Sequence, residues 1–419
     1  MTNKKLVIQF SSCLLYLIPI ALLTGPFLPD LFLSIITVIF LYITVKEKLW
    51  FYYTNKFFYF FLFFYIYLIS RSILSDSIFL SLESSLFYFR FFIFSLAVWF
   101  LINNNHKLIN FFTISLAMTF LLALTDGLYQ SFYDENLFGI KSRLDNRLTL
   151  VFSDRMIMGG YISRLFPLLI GMIIYNFKFN KISIFFTLSL LVFSDVIIYV
   201  SGERTAIVLL FISTIFILIF ITNLRIVRLI TFICSIIIIF SITIFNTGIK
   251  ERSIDQTIQQ MNIGQEGRVI VFSDEHEKLF LSAINMFKDN PLFGVGPKLF
   301  RHHCKIVIED NKELGCSTHP HNIYLQFLAE IGIVGLLFVL ILVAHIIFKL
   351  LFHIKAMYGH SNINVMSDYQ ICLMACFVLT LFPFLPTHNF FNNWISIIYF
   401  LPLGFYLHSI YESDISANN

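Results

Sequence analysis

The sequence predicts an all-α polytopic membrane protein: about twelve transmembrane helices, with one long outer loop between the ninth and tenth. Three observations carry that expectation. The 419 residues are 58% hydrophobic and only 13% charged, about half the charged share of a soluble domain. One soluble core could not bury so much apolar side chain, so lipid must solvate part of it. Second, apolar runs long enough to cross a bilayer core recur along the chain. Third, the basic residues between those runs alternate sides without slipping phase.

The runs fall near 6–25, 27–45, 56–74, 84–102, 109–128, 157–176, 182–200, 204–222, 226–246, 322–348, 369–386 and 389–408. The first follows Lys4 and Lys5, as a secretory leader would, but no small-x-small cleavage site follows it. It reads as a retained helix. With Lys4 and Lys5 inside, the groups Lys46, Lys48 and Lys56, Lys107, Lys178 and Lys181, Arg225 and Arg228, and Lys349 and Lys355 share that side. The positive-inside rule makes it cytoplasmic and, by even parity, holds the C-terminus there too. The chain reads as one membrane domain over 1–419, with outer loops over 129–156 and 247–321. The 52 phenylalanines are not interpreted singly. The net charge of +4 is modest, with no Lys/Arg-rich patch, which argues against nucleic acid.

In the longer loop, opposite charges nearly balance, as in a folded polar cap. Asp274 with Glu277 has capping-box spacing. Leu279, Phe280, Ala283, Ile284 and Phe287 follow at helical period, and Asn290-Pro291 with Gly294-Val295-Gly296-Pro297 end that helix in a turn.

Three places could carry chemistry. Ser201-Gly202-Glu203-Arg204-Thr205 stands at the outer junction of the seventh and eighth spans. A helix start there offers free amides and a dipole end to an anion, and Arg204 adds a forked donor. An interfacial Glu–Arg pair capping a tight turn accounts for the same residues equally well. Arg268, early in the long loop, reads as a solvated charge unless a ligand is present. Thr318-His319-Pro320-His321-Asn322 marks the loop's return to the membrane. Pro320 suits a first helical position, which puts His321 in the first turn of the tenth span, where the dipole keeps its ring neutral and fit to act as a general base. The alternative is a histidine that only caps the helix.

His302, His303, Cys304, Cys316, His319 and His321 cluster nearby, but their spacing fits no standard zinc pattern. A Cys304–Cys316 disulfide suits a loop in an oxidising compartment and stabilises the cap by roughly 3 kcal/mol on the chain-entropy model. Cys13, Cys234, Cys372 and Cys376 read as packing residues. Arg90, Asp126, Arg155, Arg164 and Asp195 lie within or beside spans; snorkelling or interhelical pairing explains most such charges. Arg155 and Arg164, at the outer edge of the sixth span, are secondary candidates for holding a polyanion.

His321-Asn322, nine residues, Gly332, two residues and Gly335 resemble the H-[NSQ]-x9-G-x2-[GTY] pattern of the O-antigen ligase family. Asn290-Pro291-Leu292-Phe293-Gly294-Val295-Gly296-Pro297 and Ser201-Gly202-Glu203-Arg204-Thr205 are similar to that family too, as is the layout with one long periplasmic loop. The motifs span roughly 120–345. The resemblance implies a metal-independent, inverting glycosyltransferase of the bacterial inner membrane, without a cofactor, that moves a glycan from undecaprenyl pyrophosphate to an acceptor sugar such as lipid A-core. It implies His321 as the catalytic residue and Arg204 and Arg268 as pyrophosphate-binding residues. Glu203, Asn322 and His319 are secondary candidates. Glu203 beside Arg204 departs from an ideal phosphate site, unless it faces elsewhere, orients the arginine or contacts the acceptor. An O-antigen polymerase, with a second lipid-linked glycan as acceptor, shares the same loop architecture. A transporter or flippase of lipid-linked sugars is the reading from another class, but transporters place their polar breaks near the midplane, and here the motifs gather at the outer face.

Overall fold

A computed structural model describes residues 2–142, 147–150, 157–176, 181–261, 272–310, 314–358 and 366–417. In chain order the helices are α1 (Thr2–Ala21), α2 (Phe27–Lys46), α3 (Lys56–Ile73), α4 (Ile78–Ser85), α5 (Phe89–Asn104), α6 (Leu108–Tyr133), α7 (Met158–Asn176), α8 (Lys181–Val200), α9 (Arg204–Phe220), α10 (Arg225–Phe245), α11 (Thr247–Lys250), α12 (Gln256–Gln260), α13 (Asp274–Asp289), α14 (Phe300–Asp310), α15 (Ile323–Tyr358), α16 (Asp368–Thr380) and α17 (Asn393–Ala417). Each of the twelve expected positions holds an apolar helix. Among the described residues nine segments are long and apolar enough to cross a membrane, while Phe185–Val200, Arg204–Phe220 and Asp368–Thr380 are shorter.

Several boundaries differ from the sequence expectation. The fourth span is two helices, α4 and α5. The sixth helix runs on to Tyr133, so the smaller outer loop begins later than 129. α16 stops at Thr380 and α17 starts at Asn393, because Pro383 and Pro386 cannot continue a helix and Asn392 caps the next one. Its Oδ1 accepts from the amides of Trp394 and Ile395.

α5 and α7 form the centre. Residues Phe91–Ile102 and Met158–Ile173 are buried on every side. α17 packs on α5, α16 on α7, and α10 on α8. Charges beside the spans find local partners: Arg90 pairs with Asp30, and Asp126 accepts from the amide of Leu137 at 2.7 Å. Arg228, expected in a cytoplasmic loop, is instead buried at 1% side-chain exposure and forms a fork on Asp195 at 2.8 and 3.0 Å. Ser235 donates to the same carboxylate. The physical reason is desolvation: Asp195 could not enter the bundle without a counter-charge.

The cap that holds α13 and α14 is clasped to the helical bundle through a break in α15. Gly332 has φ 65° and ψ −170°, a region reserved for glycine. The carbonyls of Ala329 and Glu330 are thereby free to accept from Val295 (2.9 Å) and Gly296 (2.7 Å), while Ile333 and Val334 donate to the carbonyls of Pro291 and Leu292. A Cβ on Gly332 would meet the Leu292 carbonyl oxygen at 2.3 Å. Arg71 of α3 donates to the carbonyls of Phe293 and Gly294. The turn expected at 294–297 is therefore a structural seam between the cap and the membrane domain.

α13 lies on this seam. Its N-cap is Ser273, one residue before the expected Asp274, and its hydroxyl accepts from the His276 amide. The buried face is Leu279, Ser282, Ala283 and Met286. It is turned away from the expected Ile284, because Val295, Leu299, Phe300, Cys304 and Ala329 form the surface that it covers.

Gly332→Ala is expected to lower the thermal unfolding midpoint of detergent-purified protein and to increase protease cleavage of the cap. Unchanged stability would contradict the clasp. Arg228→Leu, which strands Asp195, is expected to cost roughly 3–5 kcal/mol. Adding Asp195→Leu should recover most of that loss in the same unfolding measurement.

Candidate active site

Two chain segments form the frame. The first is the α8–α9 junction. Gly202 (φ 71°) turns the chain, and the Ser201 hydroxyl donates to the carbonyl of Ile198 at 2.7 Å. Glu203 then stands at the N-cap of α9 but does not cap it with its side chain. Its carboxylate crosses to α7 and accepts from the amides of Gly159 (2.7 Å) and Gly160 (2.9 Å). A carboxylate on a helix N-terminus is favourable both as a charge and as an acceptor. The close approach needs glycine, since a Cβ on Gly159 would meet the Ser201 hydroxyl at 2.7 Å and Glu203 Cδ at 3.1 Å. Burial raises the Glu203 pKa, while the two amides, Arg164 and Arg147 oppose that shift. Glu203 thus faces α7, whereas Arg204, the first residue of α9, is exposed.

The second segment is the loop's return. Asn322 is the N-cap of α15: its Oδ1 accepts from the amides of Tyr324 and Leu325, and its Nδ2 donates to the carbonyl of Pro383. His321 therefore precedes the helix rather than entering its first turn, and it is left-handed at φ 53°. Asparagine is the better cap, which is why the Pro320-based boundary fails. The His321 carbonyl accepts from the Thr387 amide at 2.8 Å. His319 Nε2 lies 3.3 Å from the Thr387 carbonyl and Nδ1 lies 3.0 Å from the Thr318 hydroxyl. A carbonyl accepts only, so Nε2 carries the proton and Nδ1 accepts.

The His319 and His321 ring centroids are 4.0 Å apart, and His276 of α13 lies 5.1 Å from His321. Burial, then the neighbouring His276, pushes His321 down to about 4. Burial, then His321 and His388, pushes His319 to about 2. His388 is pushed to about 3 by burial, then by Arg164 and His321. The rings are neutral at neutral pH, as expected for His321, but the cause is desolvation and not the helix dipole. Arg164, at 6% exposure, donates to the carbonyl of Gly160 at 3.1 Å.

His276 also feels the charge of Arg204, so the two segments lie within electrostatic range of each other. Arg147 and Arg252 lie within electrostatic range of Arg204: each is held down first by burial and then by neighbouring guanidinium groups, Arg252 to about 10, while Glu203 opposes the shift at Arg147. Sequence reasoning singled out none of His276, His388, Arg147 and Arg252. Each lies in a segment with no motif, and only His276, beside the helix start at Ser273, carried a local signal. Arg155 and Arg268 lie outside the described residues.

Cys304 and Cys316 are disulfide-bonded, with Cα atoms 5.1 Å apart. The bridge joins α14 to the segment before His319, which the Ser282 hydroxyl also holds through Gly315. With both thiols consumed and His303 turned toward Asp76 at 3.7 Å, the cysteine–histidine cluster does not converge.

Residues 187–340 match the family model described as O-antigen ligase. The match takes in Glu203, Arg204, His276, His319 and His321, but neither Arg147, Arg164 nor His388. Comparison with curated proteins finds no match.

A histidine whose folded pKa lies below its unfolded value near 6.5 holds fewer protons when folded, so stability falls as pH drops through the window between the two. The unfolding midpoint is expected to fall steadily from pH 6.5 to 4, and His321→Gln should flatten that slope. A wild-type midpoint independent of pH over this window would contradict the buried, neutral arrangement.

Proposed function

We propose, from the match of residues 187–340 to the O-antigen ligase family model, that the protein is a membrane glycosyltransferase that moves a glycan from undecaprenyl pyrophosphate to a sugar hydroxyl, as in attachment of O-antigen to lipid A-core. The supporting observation is that His276 packs 5.1 Å from His321 and lies within electrostatic range of Arg204, so a neutral imidazole and a guanidinium share one neighbourhood. The acceptor oxygen attacks the anomeric carbon as His321 takes its proton. The bond from that carbon to the pyrophosphate oxygen breaks, and its electron pair leaves with the pyrophosphate. Attack opposite the leaving group inverts the centre. General-base catalysis of this kind is typically worth 10²–10⁴-fold.

Arg204 stabilises the departing charge, together with the N-terminal amides of α9. Arg268 is the second phosphate ligand that the resemblance implies. Such charge stabilisation performs in place what a divalent ion does elsewhere. Glu203 serves the site by holding the α8–α9 junction on α7. Asn322 and His319 hold His321 in its left-handed conformation against residues 383–387. The protein sits in the bacterial inner membrane with both termini cytoplasmic and this site facing the periplasm. An O-antigen polymerase would use the same groups, with a second lipid-linked glycan as acceptor.

Purified protein with lipid-linked glycan and lipid A-core, in the presence of chelator, is expected to form the ligated product. His321→Ala and Arg204→Ala should each lose roughly 10²-fold or more of the rate while the protein still inserts normally; unchanged rates would sink the assignment. Donor supplied alone should give no product with a ligase and longer lipid-linked chains with a polymerase.

A further inference from the structure

Asn322, Gln326 and Glu330 recur every fourth residue along the opening turns of α15, which puts them on one face of the helix. The residues between them are apolar or aromatic. Gln326 is 1% exposed and Glu330 is wholly buried. A carboxylate in the outer part of a spanning helix is costly unless donors meet its oxygens. Here both oxygens are met. Glu330 Oε1 accepts from the Phe300 amide at 3.1 Å, and Oε2 accepts from Gln326 Nε2 at 2.9 Å. Phe300 opens α14, so the first of these bonds runs to the cap. The Glu330 carbonyl accepts from Gly296, and the cap thus grips this residue by backbone and side chain together.

Because the carboxylate draws Nε2 of Gln326, the orientation of that amide is fixed. The same Nε2 donates to Asn389 Oδ1 at 2.9 Å, and Gln326 Oε1 accepts from the Phe390 amide at 3.0 Å. Two residues before Asn389, the Thr387 amide donates to the His321 carbonyl, and the Thr387 carbonyl accepts from His319 Nε2. His388, between these anchors, lies within electrostatic range of His321. A line of contacts therefore leads from α14, through Glu330 and Gln326, to the short segment that brackets His321.

We propose that Glu330 is a positioning residue for His321, which it sets through Gln326 and the 387–390 segment, and that only a docked cap completes the setting. This inference rests on the transferase reading for what His321 does, though not for the coupling itself. Glu330 is enclosed, so its influence reaches a substrate only through the histidine. A change at 330 should therefore act on kcat and leave KM alone.

Glu330→Gln exchanges one acceptor atom for a donor at constant size. The new amide must turn an N–H toward Phe300 or toward Gln326, and both of those groups are donors. The test reads hydrogen exchange of the Thr387 amide, and transfer from lipid-linked glycan to lipid A-core, on the full chain in nanodiscs. Glu330→Gln is expected to speed Thr387 exchange roughly tenfold or more and to lower kcat roughly tenfold or more with KM unchanged. Adding Gln326→Glu matches donor to acceptor again at residue 330 and at Phe390, and should recover part of both effects. Arg228→Leu destabilises the bundle elsewhere and serves as the control. It should lower the unfolding midpoint yet keep wild-type Thr387 exchange and kcat below that midpoint. Should Glu330→Gln fail to fold, Glu330→Asp is read instead, since it keeps the charge but is too short to span from Phe300 to Gln326. A folded variant with wild-type Thr387 exchange and kcat would overturn the proposal, as would losses that Arg228→Leu reproduces. If wild-type protein transfers no glycan while Thr387 exchange still follows residue 330, the transferase reading falls and the coupling stands. Transfer that His321→Ala abolishes, with Thr387 exchange indifferent to residue 330, would do the reverse.

Discussion

The break in α15 at Gly332 is the constraint on which the site depends. A continuous helix would consume the carbonyls of Ala329 and Glu330 and the amides of Ile333 and Val334 in its own ladder. Broken there, it offers them to residues 291–296, and four backbone hydrogen bonds fasten the cap where side chains alone would leave it loose. α13 is packed on this seam, and His276 rides on α13. The contact between His276 and His321 thus follows from a backbone event about ten residues along the chain from His321.

A second clasp acts from the opposite side. Glu203 on the α7 amides locks the α8–α9 junction to the centre of the bundle. The carboxylate next to Arg204 in sequence is therefore spent on a helix terminus. The same junction carries Gly202, over which Arg147 and Arg252 pack. Burial also acts on the histidines: it keeps the rings of His319, His321 and His388 neutral.

The parts of this protein that were legible in advance share one property: their cause lies within a few residues. Apolar run length fixes where the spans fall, and His321-Asn322 with Gly332 and Gly335 marks the loop's return. Cys304 and Cys316 could be paired from compartment and proximity. The misreadings came where two local signals competed. Pro320 and Asn322 both suit a helix start, and the asparagine, which satisfies two amides, prevails. Arg228 follows a span boundary as a cytoplasmic charge would, yet Asp195, 33 residues earlier, draws it inside.

The sequence by itself determined the class of fold, the placing of the spans and the resemblance to the matched family, because hydrophobic length and short motifs are written in consecutive letters. Only the tertiary structure decided that His276 and His388 lie within range of His321, and that Arg147 and Arg252 meet over Gly202. They come from four segments with no common spacing, and what unites them is the desolvation and charge that each experiences once the helices have packed. Electrostatic neighbourhood depends on distance in space, which a linear pattern does not encode.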